Sequence, residues 1–388
     1  MHIAIVGYGT AGQAAAIFLA RDGHEIDLFE QSPELKPVGA GFLLQPTGLG
    51  VLAALGLRDA AIARGSRIER LHGVNAADRV VMDMRYADHA PESFGLGMTR
   101  GALFALLHTT CVHAVAIRTG VRIGKIGDDG HGLVDGAGAE YGPYDLIVAA
   151  DGAGSVLRAT SALVRRDPLY PWGAMWCLLP ADGWPHVAEL RQRYDGTRRM
   201  LGVLPVGTRP DFAGRWLTFY YSLAGARIDA FGAEDLATMQ ADVAALWPEL
   251  AERTRALDPT QLNRARYRDV VLRAPWHGQT VFIGDAAHGM SPQLGQGVNM
   301  ALLDAQALAD ALRAETNLTR ALARYAAARK SHVAVYQALS RWLTPLFQSD
   351  ATGLATLRDR AFGPFGRLPL ARREMLKILT GTKRGWLA

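Results

Sequence analysis

Short apolar runs open the chain and recur near its end, and between them the spacing changes to a helical period. His2-Ile3-Ala4-Ile5-Val6 is an apolar run closed by a glycine, the pattern of a buried strand. Gly7-Tyr8-Gly9-Thr10-Ala11-Gly12 follows, then an alanine-rich stretch to about Arg21 that predicts a helix, with Gly23 placed for its C-cap. A second run, Glu25–Phe29, ends on Glu30. Strand, glycine turn, helix and strand in that order predict the βαβ opening of a parallel sheet.

Further along, a glycine-rich loop (Val38-Gly39-Ala40-Gly41) precedes a short helix at about Thr47–Leu55, and Met98-Thr99-Arg100 leads into a helix at about Gly101–Val115. Strands are expected over about 121–134, where Asp128-Asp129-Gly130 suits a hairpin. Tyr144–Ala150 is a strongly apolar strand that ends in Asp151-Gly152. Between about 166 and 270 the composition shifts to Trp172, Trp176, Trp184, Tyr194, Trp216, Phe219, Tyr220 and Tyr221 among prolines and short strand-like runs. Thr280–Ile283 then returns to the first pattern, followed by helices at about 298–313 and 318–343. Leu318, Leu322, Tyr325, Tyr336, Leu339 and Leu343 form a helical stripe on the second of these. The fold expected is α/β: a Rossmann-like domain from 1–165 and 271–345, an inserted β-rich domain at 166–270, and a C-terminal helical tail at 346–388.

Composition narrows the setting. With 388 residues and 49% hydrophobic content the chain is a globular protein of one large or two ordinary domains, not a disordered one. Two cysteines, Cys111 and Cys177, exclude a disulfide scaffold and suit a reducing cytoplasm. No apolar stretch approaches the roughly 18 residues of a membrane helix, and the N-terminus runs straight into a strand with no basic leader. The formal charge is +5, and the arginines are spread through the chain. Arg165-Arg166, Arg198-Arg199 and Arg372-Arg373 are isolated pairs without interleaved aromatics, so no nucleic-acid partner is expected.

Three motifs carry chemistry. In Gly7-x-Gly9-x-x-Gly12, Gly7 permits a tight turn, Gly9 lets backbone approach a pyrophosphate, and Gly12 allows close helix–strand packing. The free N–H groups of the helix start at Thr10 and Ala11 suit phosphate, and Glu30 can accept bonds from an adenosine ribose. NAD and FAD remain equally open on this motif. In Asp151-Gly152-Ala153-Gly154-Ser155-Val156-Leu157-Arg158, Ser155 can cap a helix and Arg158 can pair with a carboxylate or phosphate. Last comes Gly284-Asp285-Ala286-Ala287-His288, running to Pro292-x-x-Gly295-Gln296-Gly297-Val298-Asn299. A carboxylate at a strand end can hold a sugar-like hydroxyl, and a glycine loop feeding a helix aims N–H donors at developing negative charge.

These three motifs in this order, with Arg100 ahead of its helix and Leu322-x-x-Tyr325-x-x-x-Arg329 behind them, resemble the class A flavoprotein monooxygenases, the para-hydroxybenzoate hydroxylase-like group. The resemblance covers nearly the whole chain. It implies FAD, with Glu30 on the adenosine ribose, Arg100 along the cofactor, Asp285 on the ribityl–pyrophosphate part, and backbone at Gly297, Val298 and Asn299 facing the flavin N1/O2 edge. Gly284 and Gly295 belong to the same cofactor-binding set. Asp151 belongs to the motif linked in the family with both FAD and the nicotinamide cofactor, and Pro292 would lie on the substrate side. Leu303 before Asp304 departs from the family, where many members carry an acidic residue. The implied reaction uses NADH or NADPH as a transient reductant and O2 as oxidant, and hydroxylates an aromatic or polyketide-like small molecule through a flavin C4a-hydroperoxide. A flavin oxidase or dehydrogenase on the same scaffold, or a non-catalytic flavin-binding redox protein, would retain the same motifs. Trp176, Arg193, Tyr220 and Tyr221 are the pocket candidates, because the inserted domain supplies the sheet above the flavin in this family. The tail at Arg358–Leu370 is similar to ubiquinone-hydroxylase-like members and hints at an apolar substrate.

Other constellations carry less. His108, Cys111 and His113 do not make a metal site, since His113 falls about 140° from His108 on a helix. His288 is read as a loop support rather than a base, and no catalytic residue is assigned. Trp172 and Trp176 have the wrong spacing for the Trp-x-Trp pattern of flavin-dependent halogenases. Serine-hydrolase and P-loop signatures are missing from the sequence.

Overall fold

The structure, a computed structural model, describes residues 1–36, 39 and 41–386. Val38 and Ala40 of the expected glycine loop lie outside the described residues. A six-stranded sheet runs in the order Trp276–His277, Thr280–Phe282, Leu146–Ala149, His2–Val6, Glu25–Glu30, Ala116–Thr119. All its neighbours pair in parallel except Trp276–His277. Ile3, Ile5, Leu146 and Val148 point to the side covered by the helices Thr10–Arg21 and Gly297–Ala314. Ala4, Val6, Ile147 and Ala149 point the other way, onto Ile123 and Leu133 of a small antiparallel sheet. A parallel sheet buried on both faces explains why these strands read as continuous apolar runs.

A seven-stranded sheet stands beside it, in the order Asn263–Ala265, Trp172–Pro180, Phe212–Ala224, Arg199–Arg209, Glu189–Asp195, Arg70–Asn75, Val80–Arg85. Its last two strands come from well ahead of residue 166, and Glu189–Asp195 joins them by a parallel pairing with Arg70–Asn75. The expected range 166–270 therefore does not enclose this sheet. One face carries Met175, Cys177, Leu201, Val203, Phe219 and Tyr221 against the helices Ala233–Leu246 and Pro248–Arg255. These two helices lie inside the stretch read as β-rich. The opposite face looks into a cavity.

Other differences are local. The helix expected to Val115 is Arg100–Cys111, with the Thr99 hydroxyl accepting from the Ala102 N–H as its N-cap. The long helix runs Leu318–Phe347, past the expected end at 343. The tail forms two helices, Thr352–Phe365 and Pro369–Thr380, that close the cavity's far end. Among the described residues no helix is long and apolar enough to cross a membrane.

Candidate active site

A cavity of about 1260 Å³ runs from the first glycine turn, past the ends of the parallel strands, to the C-terminal helices. At its first end the backbone does most of the shaping. Gly7 has φ +108°, and a Cβ there would stand 2.4 Å from the Ala150 carbonyl oxygen. A Cβ on Gly12 would stand 2.0 Å from the Gly7 oxygen, so helix and strand approach as closely as they do only because residue 12 is glycine. Gly9 precedes the helix as its N-cap, and a Cβ there would meet nothing within 4 Å. The Thr10, Ala11 and Gly12 N–H groups begin the helix without intrahelical acceptors.

Glu30 sits across from them. One carboxylate oxygen accepts from the Tyr8 N–H at 2.9 Å and the other from the Ser32 N–H at 2.8 Å, which fixes the group at the strand end. The Arg100 side chain lies exposed against Gly39 on the cavity wall. Asp151 is more constrained. Its Oδ2 accepts from the Val156 and Leu157 N–H groups, at 2.9 and 3.3 Å. Its Oδ1 is buried with no hydrogen-bond partner among the described residues, and burial raises its pKa. An orphaned carboxylate oxygen in a cavity wall is costly unless a ligand's donor reaches it.

Arg158, 1% exposed, ties two motifs together. It donates to the Gly152, Ala153, Asp285 and Ala286 carbonyls and pairs with Asp167 at 3.0 Å. The sequence suggested a carboxylate or phosphate partner; the carboxylate is Asp167. Ser155 caps the short helix by accepting from the Arg158 N–H.

The third motif rests on a buried ion network. The Asp304 Oδ2 accepts from the Gly284 N–H at 2.8 Å and lies 2.5 Å from the His288 Nε2, while Oδ1 accepts from the Arg329 Nε at 2.6 Å. Burial pushes the Asp304 pKa up, yet the His288 and Arg329 charges hold it well below the usual carboxylate range. His288 is thus anchored behind the turn, and Asp285 stands exposed at the cavity surface in front of it. Gly295 is left-handed (φ 60°) and turns the chain into the helix Gly297–Ala314, whose first N–H groups, at Gly297 and Val298, border the cavity. The Asn299 side chain faces inward. It accepts from the Gln45 N–H at 2.8 Å and donates to the Gly295 carbonyl at 3.1 Å, latching the loop to the strand Gly41–Leu44.

The far half of the cavity is walled by side chains. Trp176 and Tyr220 stack at a tilt, with centroids 5.1 Å apart, and Pro292 lines the same cavity. The Trp176 indole N–H donates to the Tyr267 hydroxyl at 3.2 Å, and Gln192 bridges the Tyr194 and Tyr220 hydroxyls. Burial raises the pKa of Tyr220 and of Tyr267, so both stay neutral. Two pocket candidates lie elsewhere. Side chains alternate along a strand, so with Gln192 and Tyr194 facing the cavity Arg193 points away, to Asp78 at 2.8 Å. For the same reason Tyr220 faces in and Tyr221 faces out, its hydroxyl on Asp242 at 2.6 Å.

Sequence reasoning missed Gln192, Tyr194, Tyr267 and Gln45. Gln45 is fully buried on the cavity wall; its Oε1 accepts from the Tyr86 hydroxyl at 2.6 Å and its Nε2 has no partner among the described residues. The period-two pattern of Glu189–Asp195 held the signal for the first two; nothing local marked Tyr267 or Gln45. His108 lies on the Tyr8 hydroxyl at 2.8 Å, Cys111 is buried with its thiol pushed up to about 11, and His113 falls beyond the helix end.

Two helix N-termini, an orphaned carboxylate oxygen and an acid fixed at the second strand's end converge on one long cavity, the features of a dinucleotide-binding α/β enzyme, and the cavity continues into a side-chain-lined chamber. The chain matches the family described as FAD binding domain over residues 1–340. It belongs to that family, as a class A FAD-dependent monooxygenase of the para-hydroxybenzoate hydroxylase-like group. It is 32% identical over 382 residues to a kynurenine 3-monooxygenase of Salinispora tropica, covering 87% of this chain and 78% of the relative. Identity to the FAD-dependent urate hydroxylase of Klebsiella pneumoniae is 28% over 368 residues, with 86% and 87% covered. The fold superposes on the crystal structure of Klebsiella pneumoniae HpxO complexed with FAD and uric acid at a TM-score of 0.81, with 21% identity and 100% and 98% of the two chains covered.

Proposed function

We propose that this chain is an NADH- or NADPH-consuming cytoplasmic hydroxylase of a small aromatic or polyketide-like molecule. The observation that carries the reading is the continuity of the cavity: its dinucleotide end and its Trp176–Tyr220 wall belong to one space. FAD, when bound, would supply the redox chemistry: two electrons from the nicotinamide, one oxygen atom of O2 to the substrate and the other, with two protons, to water.

The chain's own residues do the rest. The N–H groups at Thr10, Ala11 and Gly12 and the carboxylate of Glu30 would hold the pyrophosphate and ribose of the adenosine half. Arg100 would neutralise phosphate charge, and Asp285 would accept from hydroxyls of the linking chain. The Oδ1 of Asp151 would take a donor from either cofactor. The N–H groups at Gly297 and Val298, at the positive end of an 18-residue helix, favour negative charge on the flavin edge they face. Asn299 acts indirectly, holding that loop to Leu43 and Gln45. Trp176, Tyr220 and Pro292 would clamp a flat substrate and keep water out of the chamber.

The test is to photoreduce the flavin-loaded protein without oxygen, then mix it rapidly with oxygenated buffer and follow the spectrum. A transient oxygenated flavin species before reoxidation is expected. Substrate screening with phenols and polyketides then reads NAD(P)H consumption against isotope-labelled oxygen entering product. Direct reoxidation together with no labelled product across the screen would move the assignment to an oxidase or dehydrogenase.

A further inference from the structure

The positive charge of this protein is concentrated at one end. Residues 351–388 hold eight lysines and arginines against two acidic residues, a formal +6, while the whole chain is +5, so everything ahead of them carries −1. The same segment is where apolar surface is exposed. Of twelve exposed large hydrophobic side chains among the described residues, Leu357, Phe365, Leu368, Leu370 and Trp386 lie in it, and Trp342 stacks on Trp386 at 5.4 Å.

Both features peak at the turn between the helices Thr352–Phe365 and Pro369–Thr380. Leu368 is 55% and Leu370 73% exposed there. Arg360, Arg367 and Arg373 flank the turn, exposed, with no carboxylate partner among the described residues. Helical spacing puts Leu357, Arg360 and Pro364 on one face of the first helix, and Leu370 beside Arg373 on the second. The neighbouring cations are already committed: Arg358 to Asp359, Arg372 to Asp88, Lys377 and Lys383 to Glu374.

We propose that this turn docks the protein on an anionic lipid surface. Exposed leucines with unpaired guanidiniums before and after them along the chain match the boundary where lipid phosphates meet acyl chains. An acidic protein surface would answer the arginines but leave Leu368 and Leu370 without apolar contact, and a second copy would bring the same +6 against itself. The inner sides of the same helices supply Phe362, Met375, Ile378 and Leu379 to the cavity. Docking therefore sets the apolar end of the substrate chamber beside the bilayer, within reach of a substrate dissolved in lipid. The docking does not depend on the hydroxylation reading.

The experiment is co-sedimentation of the flavin-loaded full chain with vesicles of equimolar phosphatidylglycerol and phosphatidylcholine, and with phosphatidylcholine alone, at low salt. Binding to the anionic vesicles and little to the neutral ones is expected. Leu368→Ser with Leu370→Glu should weaken it at least tenfold, and each Arg→Gln at 360, 367 or 373 about fivefold. The leucine changes favour the fold, since Leu368 is the N-cap of its helix and position 370 lies in the first turn. An unchanged flavin spectrum confirms that the variants are folded. Failure of the parent chain to sediment with anionic vesicles, equal binding to both kinds, or undiminished binding by the variants overturns the proposal. So does a dimer that the leucine variant converts to monomer while vesicles bind neither form, which would assign the turn to a second copy.

Discussion

The two ends of the cavity are built by different means. At the dinucleotide end the walls are backbone: glycines at 7 and 12 let main chain meet main chain, and buried charges, Arg158 and Asp304, clamp the turns from behind. At the substrate end the walls are side chains projecting from one face of a sheet whose strands come from distant parts of the sequence. A change at the first end should alter the scaffold and the proposed cofactor site together, whereas a change at the second should alter what fits and leave the scaffold standing.

The sharpest way to break this contrast is to delete one polar group at each end. Asp304→Asn leaves Arg329 buried without its carboxylate and is expected to cost about 3–5 kcal/mol. Tyr220→Phe removes one hydroxyl that meets Gln192 and should cost about 0.5–1.5 kcal/mol. Urea denaturation of the two variants measures both, and similar losses would show that the substrate wall is as integral as the turn network. Gly12→Ala comes next. Its methyl has no room beside the Gly7 carbonyl, so about 1–3 kcal/mol of overpacking and a marked fall in flavin content are expected, read by absorbance of the purified protein.

The same ion network, behind the glycine turn at Gly284, should also respond to pH. His332 accepts from Arg329 at 2.7 Å, with Asp304, His288 and Arg384 as the other charges acting on it, and its pKa falls to about 3 through burial and the Arg329 charge. The unfolded imidazole takes a proton near pH 6.5, so between there and about 3 the unfolded state binds more protons. The contribution is complete above 6.5 and is lost as pH falls, by up to about 1.4 kcal/mol per pH unit. His332→Gln, which keeps an acceptor for Arg329, should flatten the fall in urea midpoint between pH 7 and pH 5. An unchanged slope would place the acid sensitivity elsewhere.

The same contrast explains what could be read from the chain alone. Gly7-x-Gly9-x-x-Gly12, Asp151-Gly152 and Gly284-Asp285 are local because the constraints they answer are local: a turn, a helix start, a strand end. The pairing of Glu189–Asp195 with Arg70–Asn75 spans more than a hundred residues, and no short pattern records it. Tyr267 and Gln45 reach the cavity only through such long-range placement. The helices Ala233–Leu246 and Pro248–Arg255 were obscured by the prolines and aromatics around them, although the acids Glu234 and Asp235 in a first turn and Pro248 at a helix start are ordinary initiation signals.

Arg193 and Gln192 give the finest resolution of the comparison, because they are neighbours on one strand and differ only in the face they occupy. Arg193 pairs with Asp78, whose side chain is 76% exposed, so Arg193→Ala should move activity and stability very little, with about 0–1 kcal/mol at stake. Gln192→Leu keeps the volume but removes the bridge between the Tyr194 and Tyr220 hydroxyls, leaving both buried without it. Its expected signature is a rise of up to about tenfold in KM once a substrate is in hand, with flavin content unchanged. Should Arg193→Ala instead raise KM and Gln192→Leu leave it alone, the strand presents its other face to the substrate, and the chamber lies on the side of the sheet now covered by Ala233–Leu246.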